Sequence, residues 1–176
     1  MALVVFLRGV NVGGHRTFRP SMLAEQLKDY DVVNVGAAGT FVVRKRISQA
    51  RLRAELLGRL PFEARVMICK SHELISLASG DPFAGEPSRP DVVRFVSVLE
   101  KRPRVLPSIP ISLPSDGKWI LRILAMQNRF LFGLYRRQMK AISFLSSIDR
   151  IFGVSATTRN WNTITTIVNV LKSRES

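Results

Sequence analysis

Residues 2–8 form an almost unbroken apolar run, Ala2 to Leu7 closed by Arg8, the pattern of a central strand covered on both faces. The spacing becomes helical over 20–29, where Pro20 suits a first-turn position and Leu23 and Leu27 stand one turn apart. Two strand-forming runs, Val32-Val33-Asn34-Val35 and Thr40-Phe41-Val42-Val43, flank a Gly36–Gly39 turn and predict a hairpin. Ser48 is a candidate N-cap for a helix over 48–60 that carries Leu52, Leu56 and Leu60 on one face, and Pro61 stops it. Residues 62–69 supply the next strand. That order, β-α-β-β-α-β, is the ferredoxin-like motif, and a short helix from Ser71 to Ala78, ending at Gly80, follows it.

The second half repeats this grammar with one change. Asp91–Leu99 reads as a strand, and Trp119–Met126 with Phe130–Tyr135 as a hairpin across Gln127-Asn128-Arg129. Phe144–Phe152 is predicted as a helix ended by Gly153, and Val154–Ala156 as a short closing strand. Where the first half has its first helix, the second has 102–115, and Pro103, Pro107, Pro110 and Pro114 make that stretch an extended or polyproline-like connection. The expected fold is therefore α+β: two ferredoxin-like subdomains with mainly antiparallel sheets. The first would span 1–79, a connecting loop 80–90, and the second 91–176 with a C-terminal helix.

Composition agrees with a folded core, since 46% of the 176 residues are hydrophobic. The run from Met1 to Leu7 has no basic leader and is too short to span a membrane, so it reads as the first strand of a cytoplasmic protein. Cys69, the single cysteine, lies in the apolar run 64–69, where a buried structural thiol is the simpler reading and agrees with a reducing compartment. Charge changes the picture more. Against 13 acidic residues stand 27 basic ones, a net +14, which favours nucleic acid or another polyanion as a partner. The competing reading is an arginine-rich solvated surface without function. The basic residues cluster at Arg44-Lys45-Arg46, at Lys101-Arg102-Pro103-Arg104 and at Arg136-Arg137 with Lys140.

Two dense polar motifs are not explained by core packing. Residues 7–14 read Leu-Arg-Gly-Val-Asn-Val-Gly-Gly, and residues 157–163 read Thr-Thr-Arg-Asn-Trp-Asn-Thr. In both strings the chain resembles the bacterial domain-of-unknown-function family 1697, whose members open with L-R-G-[I/V]-N-V-G-G after a strand and close with a T-x-R-N-W-N-T helix. The resemblance implies a fold and a place for the site, and it brings no established activity. The chain also departs from that pattern. Ala37-Ala38-Gly39-Thr40 stands where members carry Q-S-G-N, His15 where lysine is frequent, and Thr166 where a lysine often follows the W-N-T string. These losses imply a specialised ligand or a degenerate site.

Gly9, Gly13 and Gly14 allow a tight turn that exposes backbone N–H groups, and Arg8, Asn11, His15 and Arg16 add donors suited to an anion. Gly9 to Gly14 has the P-loop glycine spacing, but His15-Arg16 replaces the required Lys-Ser/Thr pair, and the pattern is not G-x-G-x-x-G either. A rigid structural turn is the plain alternative. In the second motif Thr157 or Thr158 is a candidate N-cap, with Trp161, Ile164, Val168 and Leu171 on an apolar helix face over 160–171 and Arg159, Asn162, Thr163 and Thr166 on a polar one. Should the motifs meet in space, Arg8, Asn11, Gly13, Gly14, His15, Arg159, Asn160 and Asn162 would form one anion pocket.

No catalytic constellation is visible. His15 and His72 are too far apart in the chain to suggest a metal pair, no G-x-S-x-G elbow occurs, and the scarce carboxylates show no paired pattern. The expectation is thus no metal and no cofactor, with catalysis left open. The leading function is a basic anion-binding protein that recognises nucleic acid or another phosphorylated ligand. An RNA-recognition sheet would present more aromatics than the one in Thr40–Val43. The alternatives are a small-molecule enzyme with a pocket between the subdomains, formed by the N-terminal glycine-rich loop and the R-N-W-N-T helix start, and an accessory protein docking on an acidic partner.

Overall fold

The computed structural model describes residues 1–10 and 18–173. Its first strand, β1 (Leu3–Arg8), sits in the middle of a sheet: Val5 stands opposite Phe41 of β3 (Thr40–Val43) on one side and opposite Ile68 of β4 (Arg65–Lys70) on the other. With β2 (Val32–Asn34) on the outer side of β3, the order is β2-β3-β1-β4 and every pairing is antiparallel. Because side chains alternate across a strand, Leu3, Val5 and Leu7 share one face. They meet Leu23 of helix α1 (Pro20–Gln26), Leu27 beyond it, and Leu52 and Leu56 of α2 (Gln49–Arg59) in a buried cluster. Val4 and Phe6, on the opposite face, are fully buried as well. Each such side chain contributes roughly 1.5–3 kcal/mol through burial. The Ser48 side chain accepts the Arg51 N–H at 3.2 Å and so caps α2, as the sequence predicts. Helix α3 (Ser71–Ser79) follows β4 directly, and the Glu73 carboxylate reaches back to the Lys70 N–H at 2.7 Å, one half of a capping box.

A second unit, Gly80–Asn162, holds β5 (Val92–Leu99), β6 (Ile111–Leu113), β7 (Leu121–Gln127), β8 (Phe130–Arg136) and β9 (Ala156–Asn160) in the order β6-β7-β8-β5-β9, again antiparallel throughout. Without β6, the path β7-β8-β5-β9 repeats the first sheet's β2-β3-β1-β4, so the α+β reading with two ferredoxin-like subdomains holds. The proline-rich connection replaces a crossover helix and adds β6 to the edge. Phe95, Leu99, Leu121, Ile123 and Leu131 pack on one sheet face with Ile148 and Phe152 of the helical segment that precedes β9.

Three boundaries differ from the sequence reading. The helix predicted at 144–152 starts earlier and is two short helices, α4 (Lys140–Ser146) and α5 (Ile148–Phe152), meeting at Ser147. Its Oγ donates to the Phe144 carbonyl at 2.6 Å, a local bond that competes with a straight helical run. The closing strand runs over 156–160, not 154–156. Thr157 and Thr158 are therefore strand residues instead of helix caps, with Thr158 Oγ1 2.6 Å from Ser97 Oγ across the β5–β9 ladder. Helix α6 (Trp161–Lys172) begins only where that pairing stops. From Thr163 onward its residues cluster with the first unit, so the observed units do not follow a single cut at 80–90. Its stripe of Ile164, Ile167, Val168 and Leu171 is buried.

Candidate functional site

Antiparallel pairing brings three strand ends together in the second unit. Val92 at the start of β5 lies opposite Arg136 at the end of β8, and Phe95 lies opposite Asn160 at the end of β9. These ends open on a cavity of about 570 Å³, within the size range of small-ligand sites. Three arginines line it: Arg89 from the loop before β5, Arg94 from within β5 and Arg137 just past β8. Among the described residues, neither Asp nor Glu lines the cavity.

The three arginines are held differently. Arg94 Nη2 donates to the Glu86 carbonyl at 2.6 Å, and its guanidinium lies 5.6 Å from the centroid of Phe83. Arg137 Nε donates to the Pro90 carbonyl at 3.0 Å, which fixes the side chain by one nitrogen. Arg89 is exposed, and its guanidinium makes no hydrogen bond or ion pair among the described residues. The neighbouring Arg136 shows the contrast. Its Nε donates to the Trp119 carbonyl at 2.7 Å, its Nη1 lies 3.3 Å from Asp91 Oδ2, and its guanidinium stacks 4.2 Å from the Trp119 ring, which Arg122 approaches at 4.7 Å. Of the Arg136-Arg137 pair, then, one member is a structural clamp and the other faces the cavity.

Two aromatic residues line the cavity, Tyr135 of β8, whose ring lies 5.8 Å from that of Phe95, and Trp161 at the start of α6. Trp161 is half-buried, braced by Phe83 at a centroid distance of 5.1 Å and an interplanar angle of 70°. It is part of the cavity wall as well as a packing residue, where the sequence reading made it core. Burial pushes the Tyr135 phenol above its ordinary pKa, and the Arg137 charge partly opposes that shift.

Of the residues singled out from sequence, Asn160 and Asn162 line this cavity on either side of Trp161, and both are exposed. Arg159 does not line it. It lies in β9 opposite Val96, only 7% exposed, where the sequence reading placed it on a polar helix face. Its Nη1 donates to Thr157 Oγ1 and to the Thr158 carbonyl, each at 2.9 Å, and burial lowers its pKa to about 10. Arg8 ends β1 opposite Arg65 and borders a depression of about 380 Å³ in the first unit, shared with Gly9 and Glu63. Asn11, Gly13, Gly14 and His15 lie outside the described residues. The sequence reading missed Arg89, Arg94 and Tyr135. The available signals were a charge inside the apolar run of β5 and an arginine between Pro87 and Pro90. Among the described residues, no group of three or more His, Cys, Asp or Glu is placed to hold a metal ion, and no helix is long and apolar enough to cross a membrane.

The family described as "Protein of unknown function (DUF1697)" matches residues 1–107. The chain belongs to that family. A solved structure, that of the conserved bacterial protein SP0830 from Streptococcus pneumoniae, is similar to this DUF1697 chain with a TM-score of 0.63. The likeness covers 97% of this chain and 98% of that one at 15% sequence identity, and at that identity it speaks to the fold alone. No curated protein sequence matches the chain.

Proposed function

We propose that this DUF1697 protein binds a phosphorylated ligand, nucleic acid foremost, in the arginine-lined cavity of its second unit. The observation that carries the reading is that Arg89, Arg94 and Arg137 line one cavity with no carboxylate residue among the described residues of its wall. Guanidinium forks match phosphate oxygens in geometry and charge, and a cavity lined by one sign of charge focuses the field on an anion. The net charge of +14 supports the same ligand class at longer range. Asn160 and Asn162 add amide groups beside it at the start of α6, where the helix dipole also favours negative charge.

Anisotropy of a labelled oligonucleotide, titrated from low to physiological salt, tests this. Binding should weaken linearly on logarithmic axes, and Arg137→Ala or Arg89→Ala should each lower the slope by about one while leaving thermal stability unchanged. A wild-type protein that binds neither oligonucleotide nor inorganic phosphate at low salt would end the proposal. Binding that both variants retain in full would end the assignment of the cavity.

A further inference from the structure

We infer that the cavity takes a single nucleotide unit, with its phosphate on the arginines and its unstacked base against Trp161. This rests on the anion-binding reading above and names the ligand class of the same site. A site for phosphate alone needs only donors and charge. This one also has an aromatic residue, Trp161 at the start of α6, among the residues that line it with the arginines. Its volume of about 570 Å³ accommodates far more than a phosphate ion and suits a base, sugar and phosphate together.

The placement of polar groups agrees. Asn160 and Asn162 flank Trp161 in sequence and line the same cavity, so amides that both donate and accept stand beside the ring that would receive the base. Such amides suit hydrogen bonding along a base edge, and an aromatic side chain suits the base face. Phe83 holds the Trp161 ring from the side, which reduces the ordering cost of stacking on it. A duplex cannot use this arrangement because its bases are stacked inside the helix. A free nucleotide or a single strand can, and the two share the chemistry that the cavity recognises.

The test uses the full chain. Trp119 and Trp161 are its two tryptophans, so Trp119→Phe leaves Trp161 as the single reporter, with the wild type titrated in parallel should that variant unfold. Fluorescence is followed on addition of inorganic phosphate, ribose 5-phosphate, adenosine monophosphate, a short single strand and the matching duplex. The expected result is that adenosine monophosphate binds about tenfold or more tighter than ribose 5-phosphate, that inorganic phosphate competes, and that Trp161→Leu removes the advantage of the base while keeping the phosphate affinity. A single strand equal to the mononucleotide identifies free nucleotide as the ligand, and a far tighter one identifies the polymer. Equal affinity for ribose 5-phosphate and adenosine monophosphate, or a duplex bound as tightly as the single strand, overturns the nucleotide inference and leaves anion binding standing. Absence of binding to every probe removes both.

Discussion

Gly39 and Leu7 are pressed together backbone to backbone: the Leu7 N–H donates to the Gly39 carbonyl at 2.8 Å, and a Cβ on Gly39 would lie 2.8 Å from Leu7 Cβ. Val10 Cγ2 would be equally close, and Gly39 holds a φ of +83°. Packing therefore demands glycine at this turn, because any side chain there would push into β1.

Gly36 provides the control, with φ +72° and nothing within 4 Å of an added Cβ. Gly36→Ala should cost about 1–2 kcal/mol from the left-handed backbone alone. Gly39→Ala should cost about 2–5 kcal/mol, because overpacking against a central strand adds to the same backbone term. Urea denaturation of the two variants measures the difference, and equal losses would refute the packing account.

Gly133 makes a closer approach within the second sheet. A Cβ there would lie 2.2 Å from the Arg122 carbonyl oxygen and 2.8 Å from Phe95 Cζ, so β7 and β8 could not keep their spacing. Gly133→Ala should destabilise by about 3 kcal/mol or more and lower the melting temperature accordingly. A variant that melts with the wild type would show that the strands shift freely here.

The Tyr135 phenol should titrate above pH 10.0, its ordinary value, because burial disfavours the phenolate. With the folded pKa raised, the unfolded chain loses this proton first, so the stability linked to Tyr135 is present below pH 10 and lost as pH rises through the folded value. In a Tyr30→Phe background Tyr135 is the remaining tyrosine, and near-ultraviolet phenolate absorbance follows it alone. Arg137→Ala should move the titration higher still, since the Arg137 charge lowers it. A titration at or below the ordinary value would contradict the buried environment.

Arg159 works in the opposite direction. Its folded pKa is lowered by burial to about 10, below the ordinary arginine range, so above pH 10 the unfolded chain binds more protons and the Arg159 contribution to stability rises with pH. Arg159→Met, which keeps the buried aliphatic volume without the charge, should be more stable than Arg159→Ala by about 2–5 kcal/mol, the cost of the cavity left by truncation. Relative to Arg159→Met, the wild type should gain as pH rises past about 10. Denaturant unfolding of the three proteins at neutral and alkaline pH supplies both comparisons.

Local pattern was sufficient for much of the fold. The alternation in β1, the Leu52 and Leu56 face of α2 with its Ser48 cap, and the Gly36–Gly39 hairpin are all set by neighbours in sequence, and they imposed the β-α-β-β-α-β order. Tertiary pairing decided the rest. Thr157-Thr158-Arg159-Asn160 reads as a helix start, because threonine and asparagine are good caps, yet threonine is also a strand former, and the hydrogen-bonding edge of β5 settles the choice. That switch buries Arg159 and places Trp161 at the strand end. The cavity itself was illegible in sequence, since Arg89, Arg94, Arg137 and Trp161 come together only through the registers that set Val92 against Arg136 and Phe95 against Asn160. Register between distant strands depends on which faces they bury together, and no short window of sequence contains both partners.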